Sequence, residues 1–517
     1  MKKIQILWVD DEIDFLKPHI LFLQNKGFDV ITANNGSEAI ETVKEQKFDL
    51  IFLDEQMPGL SGLETLNEIK TIVPQTPVVM ITKSEEENIM DAAIGSKIVD
   101  YLIKPVNPKQ ILLSIKKNLE TRRLVTEKTT ADYQAEFGRL SMIINQARTF
   151  DDWVDIYKRL VFWEIELDNS ADSAMDEVLI MQKTEANASF SKFIKSNYAG
   201  WFRKDAAEKP LMSQNIFKEK IFPALDKDKR VFFILIDNLR YDQWITLSPI
   251  LSEYFSVEEE QIYSAILPTA TQYARNAMFS GLMPSEIDKL YPQLWLDDIE
   301  EGGKNLHEKE LIEKHLSRFG RKEKFFYSKI NTNKDGSKIV DQLKNIITND
   351  FVVLVYNFVD MLSHARTEIK MIKELAYNES AYRSITKSWF EHSSLLELLK
   401  ELASLGVKVV ITTDHGTIRV KNPVKVTGEK NITTNLRYKQ GRTLSYNSKE
   451  VFEITKPSEV YLPASHVSTS YIFAMNEDFF AYPNNFNHYV KYYKDTLQHG
   501  GVSLEEMLIP FIQLRPE

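Results

Sequence analysis

The chain has 517 residues and a formal net charge of −10; that length exceeds one ordinary core, so two to four domains are expected, and the acidic balance opposes a broad basic surface for duplex DNA. It has no cysteine, which excludes disulfides and thiolate metal sites, so any metal must be held by Asp, Glu, His, hydroxyls or water. The start, MKKIQILWVDDE, ends its apolar run at acids and does not read as a signal peptide, and no stretch approaches a membrane-spanning length, so a cytoplasmic location is expected.

In residues 1–120, strand-like runs alternate with helical spacing. Ile4 to Val9, Val30 to Ala33, Leu50 to Leu53, Val78 to Ile81 and Tyr101 to Ile103 read as strands. Five β/α units in this length predict a doubly wound parallel sheet. The carboxyl ends of its strands bring Asp10 and Asp11, Asp54, Thr82 and Lys104 to one edge. Clustered carboxylates favour a hard cation such as Mg²⁺ bound with water. A carboxylate can also attack phosphorus and form an aspartyl phosphate. Lys104 can neutralise phosphoryl oxygens, and Thr82 can hydrogen-bond one of them. Lys104-Pro105 is a candidate cis peptide.

This segment resembles a response-regulator receiver, on the motifs VDDE, FLDEQMPGLSGLE, ITK and DYLIKP. The resemblance implies a flavodoxin-like fold with Asp54 as phosphoacceptor. It implies Mg²⁺ held by Asp11, Asp54 and the backbone carbonyl of Glu55, with Asp10 assisting. It makes Thr82 and Tyr101 the switch pair and Lys104 the phosphate-sensing cation. A sensor histidine kinase would be the phosphodonor.

Residues 121–215 read as a helical bundle connector. Trp153, Tyr157, Leu160, Phe162 and Trp163 are expected on one apolar face. Phe190, Phe193, Ile194, Tyr198, Trp201 and Phe202 are expected on another. No DNA-reading pattern stands out, so direct action as a transcription factor is not expected.

Residues 216–517 repeat the strand-end pattern. Val231 to Ile236 leads into Asp237-Asn238-Leu239-Arg240. Ile262 to Ile266 leads into Leu267-Pro268-Thr269-Ala270-Thr271, with Arg275 and Asn276 after it. Phe351 to Phe358 leads to Asp360 and His364. Val407 to Thr412 ends at Thr413-Asp414-His415-Gly416, and His499-Gly500-Gly501 follows near the end. Sites in open α/β sheets form beyond the carboxyl ends of strands. Asp and His together suit zinc or manganese. Asp237, Asp414 and His415 can hold one ion, and Asp360, His364 and His499 a second. Asp360 and His364 share a face if a helix starts there. A threonine hydroxyl between two ions can attack phosphorus.

LIDNLR, LPTAT, FVDMLSH, TTDHG and QHGGVSLEEM together resemble the alkaline phosphatase superfamily, and within it PglZ-type domains. The resemblance implies an alkaline-phosphatase-like α/β effector with two zinc ions and a Thr or Ser nucleophile. It assigns Asp237, Thr271, Asp414 and His415 to one zinc and Asp360, His364 and His499 to the other. Thr271 is favoured over Thr269 as the second threonine of Pro-Thr-X-Thr. Arg275 and Asn276 are expected to bind the phosphoryl group, from their nearness in the chain.

The order receiver, helical block, PglZ-type domain makes the chain a multidomain α/β protein. It resembles response regulators associated with type IX secretion. That resemblance implies phosphodiesterase activity on linear or cyclic oligonucleotides, a sigma-factor partner and a homodimer formed on phosphorylation through the helix 4, strand 5, helix 5 face. A non-catalytic scaffold, or a phosphomonoesterase or phosphomutase on the same metals, are the competing readings. The insertion from Asn422 to Tyr482 is expected to wall the site, with Arg437, Tyr438, Lys439 and Arg442 meeting a nucleic-acid backbone.

Overall fold

The structure, a computed structural model, describes residues 4–74, 76–83, 98–169, 175–206, 209–298, 300, 302–368, 370–429, 433–483 and 486–517. Its chain divides into two compact units, with the division after residue 133.

The first unit is built on five strands: β1 (Gln5–Val9), β2 (Asp29–Ala33), β3 (Leu50–Asp54), β4 (Val78–Thr82) and β5 (Asp100–Ile103). Each lies within one residue of the expected run. They pair in parallel in the order β2-β1-β3-β4-β5, the flavodoxin-like order. The strands read as continuous apolar runs because both faces are covered. Leu7, Leu53 and Met80 pack on one side, and Ile6, Phe52 and Ile81 on the other. Side-chain caps start two of the helices, Asn35 for Gly36–Glu45 and a Ser61/Glu64 capping box for Gly62–Ile72. Lys104-Pro105 is cis. Residues 84–97, where helix 4 of the expected dimer face falls, lie outside the described residues.

The second unit contains the effector sheet, and the helices Phe150–Asn169 and Asp176–Asn197 belong to it. The stretch expected as a helical bundle connector thus shares a compact unit with the effector sheet from residue 134 onward. Trp153, Tyr157, Leu160, Phe190, Ile194, Tyr198 and Trp201 are buried. Trp153 packs edge-on against Phe190 at 5.5 Å. Phe162 departs from its expected face and is 53% exposed.

Six strands form the effector sheet: β6 (Val231–Ile236), β7 (Phe255–Ser264), β8 (Phe325–Ile330), β9 (Phe351–Tyr356), β10 (Lys408–Thr412) and β18 (Leu508–Pro516). Their order is β7-β18-β10-β6-β9-β8. The four strands from β10 to β8 run parallel, while β18 is antiparallel to both its neighbours. β6, β9 and β10 are adjacent and buried throughout, so their carboxyl ends open on one edge. Phe233 and Phe351 pack under Phe217, with ring centroids at 5.2 and 5.6 Å.

Two expected strand bounds are corrected. β7 starts at Phe255 and stops at Ser264, because pairing with β18 extends it backwards through a polar stretch that shows no apolar run. β9 stops at Tyr356, and the helix Phe358–Glu368 begins where the strand was expected to continue.

Small strands complete the unit: β11 (Ile418–Arg419), β12 (Asn422–Lys425), β13 (Tyr438–Gly441), β14 (Val451–Ile454), β15 (Ser470–Ala474), β16 (Asp478–Ala481) and β17 (Leu497–Gln498). No described helix is long and apolar enough to cross a membrane.

Candidate metal and phosphotransfer sites

In the first unit, Asp10, Asp11 and Asp54 offer carboxylate oxygens that all lie within 4.8 Å of one another. Asp10 and Asp54 are buried and Asp11 is exposed. The Lys104 ammonium is 2.9 Å from Asp10 and 3.0 Å from Asp54. Burial pushes the Asp54 carboxyl up to about 6, and Asp10 and Asp11 add repulsion that Lys104 opposes. Burial works against the charge on Lys104, but its hydrogen bonds to Asp10 and Asp54 outweigh it and raise its pKa.

Thr82 Oγ1 donates to Glu55 Oε2 at 3.1 Å. The Glu55 carbonyl accepts the Gly62 N–H at 2.8 Å. Gly62 lies so close that a Cβ there would sit 2.3 Å from the Asp54 carbonyl oxygen. Tyr101 faces outward and is 40% exposed.

In the second unit the carboxyl ends of β6, β9 and β10 carry Asp237, Asp360 and Asp414-His415. Asp237, Asp414 and His415 form one group, all buried, with ligand atoms within 4.8 Å of one another. Asp360, His364 and His499 form a second. The helix from Phe358 puts Asp360 and His364 one turn apart, with His364 Nε2 3.5 Å from Asp360 Oδ2. His499 follows β17, and its ring stacks on His415 with centroids 4.2 Å apart.

Backbone carbonyls set both imidazoles of the stacked pair. His415 Nδ1 donates to the Gly416 carbonyl at 3.1 Å, and His499 Nδ1 donates to the Thr269 carbonyl at 3.2 Å. That tautomer leaves each Nε2 with a lone pair facing the site, the usual preparation of a metal-ligating histidine. Thr271 Oγ1 lies 3.1 Å from His415 Nε2. Burial holds His499 well below the ordinary range, and the neighbouring His415 and His364 push it further. Burial also drives the Asp237 carboxyl up; the Arg275 guanidinium opposes this, and repulsion from Asp414 and Asp360 adds to it. Asp237 Oδ1 is buried without a hydrogen-bond partner. An orphaned acceptor, repelled carboxylates and two prepared imidazole nitrogens fit divalent cations.

The two threonines differ. Thr269 is sealed in: it donates to the Gly501 carbonyl at 2.8 Å and accepts the Gly500 N–H at 3.1 Å. Thr271 opens the helix Thr271–Ser280 and is only partly buried.

Arg275 and Asn276 are corrected. Arg275 is buried and bonds Asp414 at 2.9 Å, Glu308 at 3.2 Å and also Asp237. Its guanidinium spans the carboxylates of the first group and is not offered to an incoming phosphate. Asn276 donates instead to the Lys304 carbonyl at 3.3 Å. Nearness in the chain misled because successive helix residues point about 100° apart.

The basic stretch in the insertion is corrected as well. Arg437 is fully buried against Glu506, with Nη2 at 2.5 Å. Tyr438 is buried, and Lys439 is buried with its ammonium donating to the Thr433 carbonyl at 2.6 Å. Only Arg442 of the four is exposed. β13 lies against β15, which takes these side chains into the interior.

Asn238 has a place in the site that its motif alone did not reveal. It adopts a left-handed φ of 65° at the end of β6. Its N–H reaches Asp414 Oδ1 at 3.4 Å, and its side-chain amide donates to Asp360 Oδ1 at 3.2 Å. It therefore ties together one carboxylate from each group. Glu308 was also missed, since it lies far along the chain in an ordinary acidic helix.

Residues 216–514 match the family described as the BREX system PglZ alkaline phosphatase-like domain. Residues 123–202 match the PorX response regulator linker domain, and residues 6–116 match the response regulator receiver domain. The transcriptional regulatory protein ZraR of Klebsiella oxytoca is 36% identical over 137 residues, covering 26% of this chain and 31% of ZraR. A CpxR homolog of Haemophilus influenzae is 40% identical over 114 residues, 22% of this chain and 48% of the relative. The chain thus spans less than half the length of these relatives. Among solved structures, the receiver domain of NtrX from Brucella abortus is 33% identical with a TM-score of 0.22, covering 22% of this chain and 98% of that one.

Proposed function

The chain belongs to the PglZ alkaline phosphatase-like family, behind a response-regulator receiver and a PorX-type linker, and we propose that it is a phosphorylation-controlled, zinc-dependent phosphodiesterase. The observation that carries the reading is Thr271 Oγ1 set 3.1 Å from His415 Nε2, with two three-residue ligand groups on the same sheet edge.

Asp237, Asp414, His415 and Thr271 would hold one zinc ion, and Asp360, His364 and His499 the other. Ions bound there supply Lewis-acid stabilisation of phosphoryl charge and lower the pKa of a coordinated hydroxyl. Thr271 is the nucleophile in this reading. Its position at the start of a ten-residue helix adds the favourable N-terminal end of a helix dipole to the place where negative charge gathers. Asn238 holds Asp360 and Asp414 in fixed relation, and the Gly416 and Thr269 carbonyls hold the two imidazoles. The burial that raises Asp237 also keeps water from screening the charges.

In the receiver, Asp54 accepts the phosphoryl group from a histidine kinase. Asp10, Asp11, Asp54 and the Glu55 carbonyl would hold Mg²⁺, and Lys104, Thr82 and Tyr101 would register the change. From the resemblance of the three-part order to response regulators associated with type IX secretion, we propose linear or cyclic oligonucleotides as the substrate class, a cytoplasmic role in type IX secretion, a sigma-factor partner and dimerisation on phosphorylation. Light scattering with and without a phosphoryl mimic tests the last of these; an unchanged mass sinks it.

The main test is elemental analysis of purified protein, followed by turnover of a chromogenic phosphodiester and its matching monoester, each with and without an acyl-phosphate mimic. Two zinc ions per chain and diester cleavage that rises on activation support the reading. Preference for the monoester converts it to a phosphomonoesterase. Full metal with no turnover of either ester leaves a scaffold. Thr271→Val must abolish turnover, by about a thousandfold or more, without loss of metal from the second group.

A further inference from the structure

The helix Asp176–Asn197 reaches the catalytic loops through one buried side chain. Asn187 is 2% exposed. Its amide oxygen accepts the Leu504 N–H at 2.8 Å, and its amide nitrogen donates to Glu505 Oε2 at 3.0 Å. The backbone donor fixes which end of the amide points where. Lys183, one turn earlier, lies 3.6 Å from the other oxygen of Glu505.

The turn that Asn187 grips touches the segments carrying both imidazoles of the stacked pair. The Glu505 carbonyl packs on Gly416 so closely that a Cβ there would lie 1.9 Å from the oxygen. The Gly416 N–H donates to the Glu506 carbonyl at 3.2 Å. Gly416 follows His415 and accepts its Nδ1–H. On the other side, Glu506 Oε1 accepts the Gly501 N–H at 2.9 Å, two residues after His499. Gly501 in turn accepts from Thr269, whose carbonyl orients His499. Residues 504–506 are therefore bonded or packed to the loops that orient both rings. Packed interiors transmit shifts because they have little free volume to absorb them.

We propose that Asn187 is a positioning residue of the phosphoesterase site, through which the linker helix sets the spacing of His415 and His499. This rests on the function proposed above. A sub-ångström misplacement of ligating groups is enough to lower kcat while substrate binding, governed by other walls, is retained.

The test is a donor–acceptor exchange in the full-length, zinc-saturated protein. Asn187→Asp sets two carboxylates against each other, and the added Glu505→Gln restores the bond with the roles reversed. In the exchange variant the amide introduced at position 505 would donate to the carboxylate introduced at position 187. That carboxylate would accept the Leu504 N–H as the native amide oxygen does, the pair would keep one negative charge, and Lys183 would keep Glu164 at 2.6 Å. Asn187→Asp is expected to lower kcat roughly ten- to hundredfold with KM within about threefold, and Asn187→Asp/Glu505→Gln to recover most of it. Asn187→Ala, which adds no charge, is expected to fall between and serves if Asn187→Asp does not fold. Wild-type kcat in Asn187→Ala, or a loss in folded Asn187→Asp that Glu505→Gln does not restore, overturns the proposal. If the wild-type protein holds zinc but cleaves no ester, the function fails separately. The chelator concentration that releases half the zinc then decides: it should fall in Asn187→Asp and recover in the exchange variant, and no change overturns the positioning role.

Discussion

Replacing Glu506 by Gln should be among the most damaging near-isosteric changes in the effector. Glu506 is fully buried and accepts four hydrogen bonds: from Arg437 Nε at 3.1 Å and Nη2 at 2.5 Å, the Gly501 N–H at 2.9 Å and Ser503 Oγ at 2.7 Å. Gln keeps the shape but removes the charge, and one amide end becomes a donor facing donors. Arg437, itself fully buried, is then an uncompensated cation. Breaking a buried pair by removing one partner costs about 3–5 kcal/mol. For a unit of this size each kcal/mol shifts the midpoint by roughly 1.2 °C, so its melting transition should fall by roughly 4–6 °C. Arg437→Met should cost a similar amount. Arg437→Met/Glu506→Gln should cost well under the sum of the singles, because no lone charge remains, giving a coupling of about 2–3 kcal/mol. The assay is urea unfolding of the four proteins, with the effector transition followed separately from that of the receiver. A cost below about 1 kcal/mol for Glu506→Gln, or strictly additive costs, would refute the reasoning.

Lys439 offers the opposite sign. Burial lowers its pKa from 10.5 to about 8, so the folded state binds the proton less tightly than the unfolded chain. The stability tied to neutral Lys439 is full above pH 10.5 and is lost as pH falls through 8. Lys439→Met should therefore stabilise the protein by about 1–3 kcal/mol at pH 7, after loss of the bond to Thr433, and the gain should shrink between pH 8 and 10.5; urea midpoints across that range check it. His364→Ala should release one metal per chain and retain the other, since His364 belongs to the Asp360 group alone; elemental analysis after dialysis decides, and loss of both would mean the groups do not bind independently. Gly416→Ala must move backbone, since its Cβ would overlap the Glu505 carbonyl; soluble expression or zinc content should fall sharply, and a wild-type melting point with full activity would contradict the packing.

Much of the site was legible in the chain because its signals are local. A buried parallel strand is an apolar run, and the residue where the run stops is at the sheet's carboxyl edge. That logic placed Asp54, Asp237, Asp360 and Asp414-His415 without knowledge of which strands are neighbours. The spacing of Asp360 and His364 also sufficed once a helix begins at Phe358. The polar start of β7 was illegible because its pairing with β18 supplies the order that its own composition does not show.

What only the tertiary structure decided are contacts between residues far apart in sequence. Arg275 looked like a phosphate binder until the fold set Asp237, Asp414 and Glu308 around it. Arg437 and Lys439 looked like surface charge until the fold set Glu506 against Arg437 and buried Lys439 in β13. Nothing local to the linker helix tells that Asn187 faces Leu504 and Glu505, more than three hundred positions away. A charged or amide side chain has the same local signature whether it meets water or a buried partner. The difference lies in desolvation and in who stands opposite, and the fold alone determines both.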